Sequence, residues 1–170
     1  MLPDPCSGYN AGTMAEKEKE KPGVRIVQRN KKAYFNYEIV EKMEAGIVLQ
    51  GSEVKSIRDG KVTIHDAYAR VKNGEVWVIG MDVSLYPQAG PYNNHVPRQA
   101  RKLLLHRREI RRLVGKTKEK GLTLVPLALY FKDGLAKLEI GLARGKKQFD
   151  KRRSIKEREA KRDLRRRMMK

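Results

Sequence analysis

The chain has 170 residues, with 39 lysines and arginines against 20 aspartates and glutamates, for a formal net charge of +19. That length suits one compact domain with extensions rather than two independent cores, and charge on that scale repels itself unless a polyanion neutralises it, so nucleic acid is the leading partner. The single cysteine, Cys6, excludes an internal disulfide; no apolar run approaches the roughly 20 residues of a membrane span and no secretory pattern opens the chain, so a cytoplasmic protein without a membrane partner is expected.

Residues 1–13 contain no lysine or arginine, and Met14 opens a run of Glu and Lys with no apolar periodicity. Residues 1–22 therefore read as a disordered leader, with 1–13 either an appended segment ahead of a natural start or a natural disordered tail. A folded domain is expected over 23–145. Tyr34, Phe35 and Tyr37 follow Lys31 and Lys32, which sets rings beside positive charge as a stacking site for unpaired bases does, with one or two of the rings in the core.

From Tyr37 the odd positions Tyr37, Ile39, Met43, Ala45, Ile47 and Leu49 alternate with Glu38, Lys42 and Glu44, the period-two signature of a half-buried strand. Glu41 is the misfit on its inner face, and Gly46 stands where a barrel needs a sharp bend. Ser52 can cap a helix over residues 53–59 that Gly60 ends, and it sets Lys55 and Arg58 side by side as a small cationic edge. Residues 67–72 and 75–79 form a hairpin turned at Asn73-Gly74, and residues 86–96 form a loop.

Pro97 to Val114 reads as a helix carrying seven Arg or Lys against one Glu. Leu103, Ile110, Leu113 and Val114 make its apolar stripe, while Leu104 falls about a right angle away, among Arg101, Arg108 and Arg111. Leu104 there is an apolar contact for a base or ribose in a cationic face, or else a packing contact with a loop of its own fold. His106 points toward the inner side of the stripe as a core or boundary residue.

Residues 122–131 and 135–142 form a second hairpin turned at Lys132-Asp133-Gly134, with Pro126 marking an edge or a bulge. Leu138, Ile140 and Leu142 share its inner face, and Lys137 points away with Glu139. Short antiparallel strands with one or two helices make the fold class mainly β with helices, a small antiparallel barrel. Residues 146–170 are too poor in large apolar residues for a packing stripe and read as a basic tail, disordered alone and helical against a polyanion.

Chemistry other than binding finds little support. His65 and His95 lie far apart with no cysteine or histidine at ligand spacing, so no metal and no cofactor are expected. The best enzymatic fragment is Glu53-Val54-Lys55, an acid and a lysine two apart as in metal-dependent nucleases. No spacing brings further carboxylates such as Asp59, Asp66 or Glu44 to it, and solvated helix charges explain it better. A binding protein, not an enzyme, is expected.

Several segments together, in order, resemble the small protein B family, the SsrA-binding proteins: Asn30-Lys31-Lys32-Ala33-Tyr34, Glu44-Ala45-Gly46-Ile47, the stretch from Gly51-Ser52-Glu53-Val54-Lys55 to Arg58, Arg101-Lys102-Leu103-Leu104-Leu105-His106, the run from Lys120 to Leu127, and Gly145-Lys146-Lys147-Gln148-Phe149-Asp150-Lys151-Arg152. The resemblance implies a barrel of oligonucleotide-binding type with flanking helices that grips the tRNA-like domain of tmRNA together with elongation factor Tu, brings it to stalled ribosomes for trans-translation, and is a monomer when free. It implies tmRNA-binding roles for Glu44, Leu104 and Lys137, and phosphate contacts for Lys55, Lys137, Arg144, Lys146 and Lys147. Lys31, Lys32, Phe35, Arg58, Arg101 and Lys102 complete the expected RNA-binding set. Asp150, Lys151 and Arg152 match the start of a tail that the family places at the decoding centre and in the messenger channel. Phe35 stands where the family often has His, and Val96 and Gln99 where Asp and Arg are common. The competing reading is a general module for single-stranded nucleic acid, using the same charges without structural selectivity.

Overall fold

A computed structural model describes residues 23–90 and 92–146, with Glu159 and Met168 beyond them. The expected leader over 1–22 lies outside the described residues, as do Lys147, Asp150, Lys151 and Arg152 of the tail. In chain order the elements are β1 (Val24–Arg29), α1 (Lys31–Asn36), β2 (Tyr37–Ile47), α2 (Gly51–Arg58), β3 (Val62–Thr63), β4 (Tyr68–Lys72), β5 (Glu75–Ile79), β6 (Asp82–Val83), a 3-10 turn at Pro87–Ala89, β7 (Arg101–Leu104), α3 (Arg107–Lys120), β8 (Thr123–Lys132) and β9 (Leu135–Gly145).

Seven of the strands form one antiparallel sheet in the order β1-β8-β4-β5-β7-β2-β9, and β8 also pairs with β9, so the sheet curls back on itself. Closure is uneven. β8 and β9 pair along almost their whole length, whereas β4 meets β8 through the single register pair Ala69↔Leu124. Over residues 23–146 the fold is thus mainly β with three helices, a curled sheet rather than a strict barrel. β3 and β6 form a separate two-stranded sheet that the sequence reading did not anticipate.

The alternation read from the sequence sets the core. Ala45 and Ile47 of β2, Val76 and Val78 of β5, and Leu138, Ile140 and Leu142 of β9 meet inside with Ile57 of α2 and Leu113 of α3. Both hairpins turn in two residues with positive φ, at Asn73 (53°) and Gly74 (75°) and at Asp133 (51°) and Gly134 (78°). Such turns match the twist of the flanking strands. Pro126 sits at a register shift of β8 against β9, but β8 is an interior strand, so the bulge reading holds and the edge reading does not.

A second, smaller core lies on the outside of the sheet, where Ala33 of α1 packs with Val125, Leu127 and Ala143. Buried Asn30 fixes α1 there. Its Oδ1 accepts from Ala33 N–H, its Nδ2 donates to the carbonyls of Ile64 (3.1 Å) and Pro126 (3.0 Å), and its own N–H donates to Leu127 O at 2.7 Å.

The expected helix from Pro97 is corrected. Residues 101–104 are strand β7, with Arg101 and Leu103 buried and Leu104 exposed, and the helix begins only at Arg107. A buried arginine concealed the period of two. Arg101 Nε donates to Glu53 Oε1 at 2.7 Å, and its terminal nitrogens donate to the carbonyls of Met81, Gln99 and Pro97. Both side chains are about 1% exposed, so Arg101 is an internal tie and not an RNA contact, and Glu53 is no solvated helix charge.

Two caps are corrected with it. Gln50, not Ser52, caps α2, and its N–H donates to Glu53 Oε2 at 2.7 Å. Ser52 instead meets His95 Nδ1 at 3.0 Å, while His95 Nε2 donates to Val83 O. His106 is exposed at the cap of α3, where its N–H donates to Glu109 Oε2.

Candidate nucleic-acid interface

The misfit Glu41 has a structural answer. α3 lays Lys116 and Arg112 over it, at 2.5 Å and 3.0 Å, and the Lys116 hydrogen bond, with the Arg112 charge, holds the carboxyl below its ordinary range despite the cost of burial. α3 is therefore clamped to β2 by charge on one side of its apolar stripe.

The outward-facing positions of β9, β2 and β7 assemble the densest group of expected site residues. Lys137 and Leu104 both register opposite Gly46, one from each neighbouring strand. Glu44 lies two residues along the same face of β2, 3.4 Å from Lys137 Nζ and 3.6 Å from Lys132 Nζ. Tyr130 donates its hydroxyl to Glu44 Oε2 at 2.5 Å. That hydrogen bond, more than the two lysines, holds Glu44 below the usual carboxylate range. Burial first, and the hydrogen bond to Glu44 second, push the Tyr130 phenol up.

Leu104 is 54% exposed. The sequence reading gave it the right exposure on the wrong element, because outward alternation on a strand and an off-stripe helix position both leave it in solvent. Gly46 has a second use besides the expected bend. A Cβ at that position would lie 3.3 Å from Leu104 Cβ, so the glycine makes room for Leu104 to lie across β2. Lys102, next on β7, is paired with Glu75 of β5.

The other expected contacts fall into separate places. Lys55 and Arg58 are exposed on α2, with Lys55 over the Tyr86 ring and Arg58 over that of Phe131. Lys31 and Lys32 are exposed on α1, with Lys32 3.6 Å from Asp66, and Phe35 is half-buried. Arg144 is exposed near the end of β9; Lys146 just beyond donates from its backbone to Asn36 O and from Nζ to Tyr34 O. Tyr34 and Lys42 form a cation–ring pair beside them. The structure thus brings Glu44, Leu104, Lys102 and Lys137 together on one face, groups Lys31, Lys32, Arg144 and Lys146 around α1, and removes Arg101 from the surface.

Two residues of the main face, Tyr130 and Lys132, escaped the sequence reading. Their signal was present: they alternate with buried Leu129 and Phe131 along β8, and Tyr130 registers opposite Lys137. Among the described residues no three His, Cys, Asp or Glu side chains stand together as a metal site would need, and no helix is long and apolar enough to cross a membrane. Glu53 of the nuclease-like fragment has both oxygens engaged, with Gln99 Nε2 donating to Oε1 as well as Arg101.

What this face can do chemically is hold a polyanion. Two lysines fixed by one carboxylate present directed cations, and the exposed leucine beside them offers an apolar contact for a sugar or base edge.

Comparison with known proteins agrees with that chemistry. The family model described as SmpB protein matches residues 27–170. The chain is 52% identical over 153 residues to an SsrA-binding protein of Trichodesmium erythraeum, covering 90% of this chain and 97% of the relative. It is 57% identical over 140 residues to an SsrA-binding protein of Bacillus cytotoxicus, covering 82% and 90%. A chain in a solved structure described as "tmRNA-SmpB: a journey to the center of the bacterial ribosome" superposes with a TM-score of 0.60 at 51% identity, over 71% of this chain and 85% of that one.

Proposed function

The chain belongs to the SmpB protein family, and from that premise we propose that it binds the tRNA-like domain of tmRNA and carries it to stalled ribosomes for trans-translation. The observation that carries the reading is the outer face where Tyr130, Lys132 and Lys137 converge on Glu44 beside exposed Leu104. With its carboxylate already engaged by three partners, Glu44 acts by holding the two lysines in place toward RNA phosphates. The protein works by binding, with no turnover of its own, as a monomer in the cytoplasm.

The second cationic group, around α1, lies at the end of β9 and includes Lys146. In this proposal the segment that follows, including Lys147, Asp150, Lys151 and Arg152, enters the decoding centre and messenger channel, while elongation factor Tu shares the same RNA.

The test is binding of the purified protein to the tRNA-like domain, competed by unrelated tRNA and by single-stranded RNA across a salt series. The tRNA-like domain is expected to resist both competitors at moderate salt. Equal competition by all three RNAs would replace this reading with a general single-strand-binding module. Removal of residues 147–170 is expected to leave most of the RNA affinity and abolish tagging on stalled ribosomes.

A further inference from the structure

The only tryptophan of the chain is Trp77, and it sits on the outer face of the sheet. On β4, β5 and β7 the inward positions are Ala69, Val71, Val76, Val78 and Leu103, and the outward ones include Tyr68, Arg70, Trp77, Ile79 and Lys102. Register places Arg70, Trp77 and Lys102 in one row across the three strands, and Tyr68 opposite Ile79 in the next. Side chains opposite one another in such a row have Cβ atoms about 4.5–5.5 Å apart. The indole is therefore flanked by a cation on each side.

We propose that this row is a stacking platform for an unpaired base of the bound RNA, with Arg70 and Lys102 holding the phosphates on either side; the proposal rests on the RNA-binding reading above and adds its base contact. Trp77 is only partly exposed and Tyr68 beside it is 43% exposed, an aromatic surface on the solvent side of a sheet whose interior is already filled by Val76 and Val78. The indole N–H makes no hydrogen bond among the described residues, and it is not sealed from solvent. Arg70 is exposed and makes no ion pair among the described residues, so its charge is available. Lys102 is held on the face by Glu75.

Aromatic rings set among cations on a sheet face match single-stranded nucleic acid, whose bases offer a π-face while its backbone seeks positive charge. The row also continues the interface already described. Leu104 follows Lys102 by two residues on the same face of β7, so RNA crossing Lys137, Glu44 and Leu104 meets Trp77 next.

One tryptophan makes the test direct. The full chain is titrated with the tRNA-like domain RNA while indole emission and RNA anisotropy are followed together. The expected result is saturable quenching that tracks binding. Binding without a change in emission overturns the platform and leaves the RNA-binding reading intact, whereas no binding overturns both. An equal response to polyglutamate would overturn it in favour of a protein-docking face. Trp77→Phe is expected to keep affinity within about threefold and Trp77→Leu to lose about tenfold, at matched thermal midpoints. Indistinguishable affinities for wild type and Trp77→Leu would overturn the proposal independently of fluorescence.

Discussion

The Tyr130 hydroxyl of β8 donates to Glu44 of β2 across the intervening strand β9, so each residue shifts the titration of the other. The phenol is raised, first by burial and then by the carboxylate. A raised folded value means that its contribution to stability is fully present below the ordinary tyrosine range and is lost as pH rises through the folded one. Ultraviolet titration should show one of the seven tyrosines ionising after the rest. Glu44→Gln should bring it closer to them while leaving the fold in place.

The acid limb has the opposite sign. Glu41 and Glu44 are both depressed, by the Lys116 and Tyr130 hydrogen bonds respectively. Their stabilisation is complete above the ordinary carboxylate range and fades as pH falls through the lowered values. Urea midpoints measured from neutral pH downward should begin to fall below about pH 4.5. Glu41→Gln should give a shallower decline and loosen α3, visible as faster amide exchange along that helix.

Arg101 and Glu53 should behave unlike any surface charge pair of this protein. Breaking a buried pair strands one charge, so Arg101→Ala should cost about 3–5 kcal/mol in equilibrium unfolding. Lys102→Ala, one residue away and facing outward, should change stability little and weaken RNA binding instead. The contrast between these neighbours checks the corrected strand assignment.

Gly46 tests how closely Leu104 must lie on β2. Gly46→Ala puts a methyl 3.3 Å from Leu104 Cβ, so the leucine must shift by a few tenths of an ångström. Leu104→Ala removes it without leaving a cavity, because it is exposed. Both variants should melt close to wild type and bind the tRNA-like domain several-fold more weakly. Unchanged binding in Leu104→Ala would show that the leucine is not a contact.

Strand alternation was legible wherever polar residues face water and apolar ones face the core, as in β2 and in both hairpins with their Asn-Gly and Asp-Gly turns. It failed at β7 because Arg101 points inward, and a charged residue is read as solvent-facing unless its partner is known. That partner, Glu53, lies 48 residues earlier on another element, and periodicity carries no information about such a pairing. The same blindness hid Tyr130 and Lys132: their strand was recognised, but their convergence on Glu44 depends on which strands become neighbours. The resemblance supplied Glu44, Leu104 and Lys137 as a set, and in the fold all three face outward around Gly46, a proximity that depends on the order of strands β7, β2 and β9.

The uneven closure of the sheet gives the molecule the mechanics of a cuff. Along one margin β8 and β9 are laced nearly end to end, and at the other the β4–β5 hairpin is fastened to β8 by one rung. That rung is set in the core, since Ala69 and Leu124 are both buried, so side-chain packing rather than a ladder of backbone hydrogen bonds holds this margin shut. On its other side the hairpin is joined to β7 by three register pairs. Arg70 and Trp77 thus stand on the sparsely laced side of the cuff and Glu44 and Lys137 on the closely laced side.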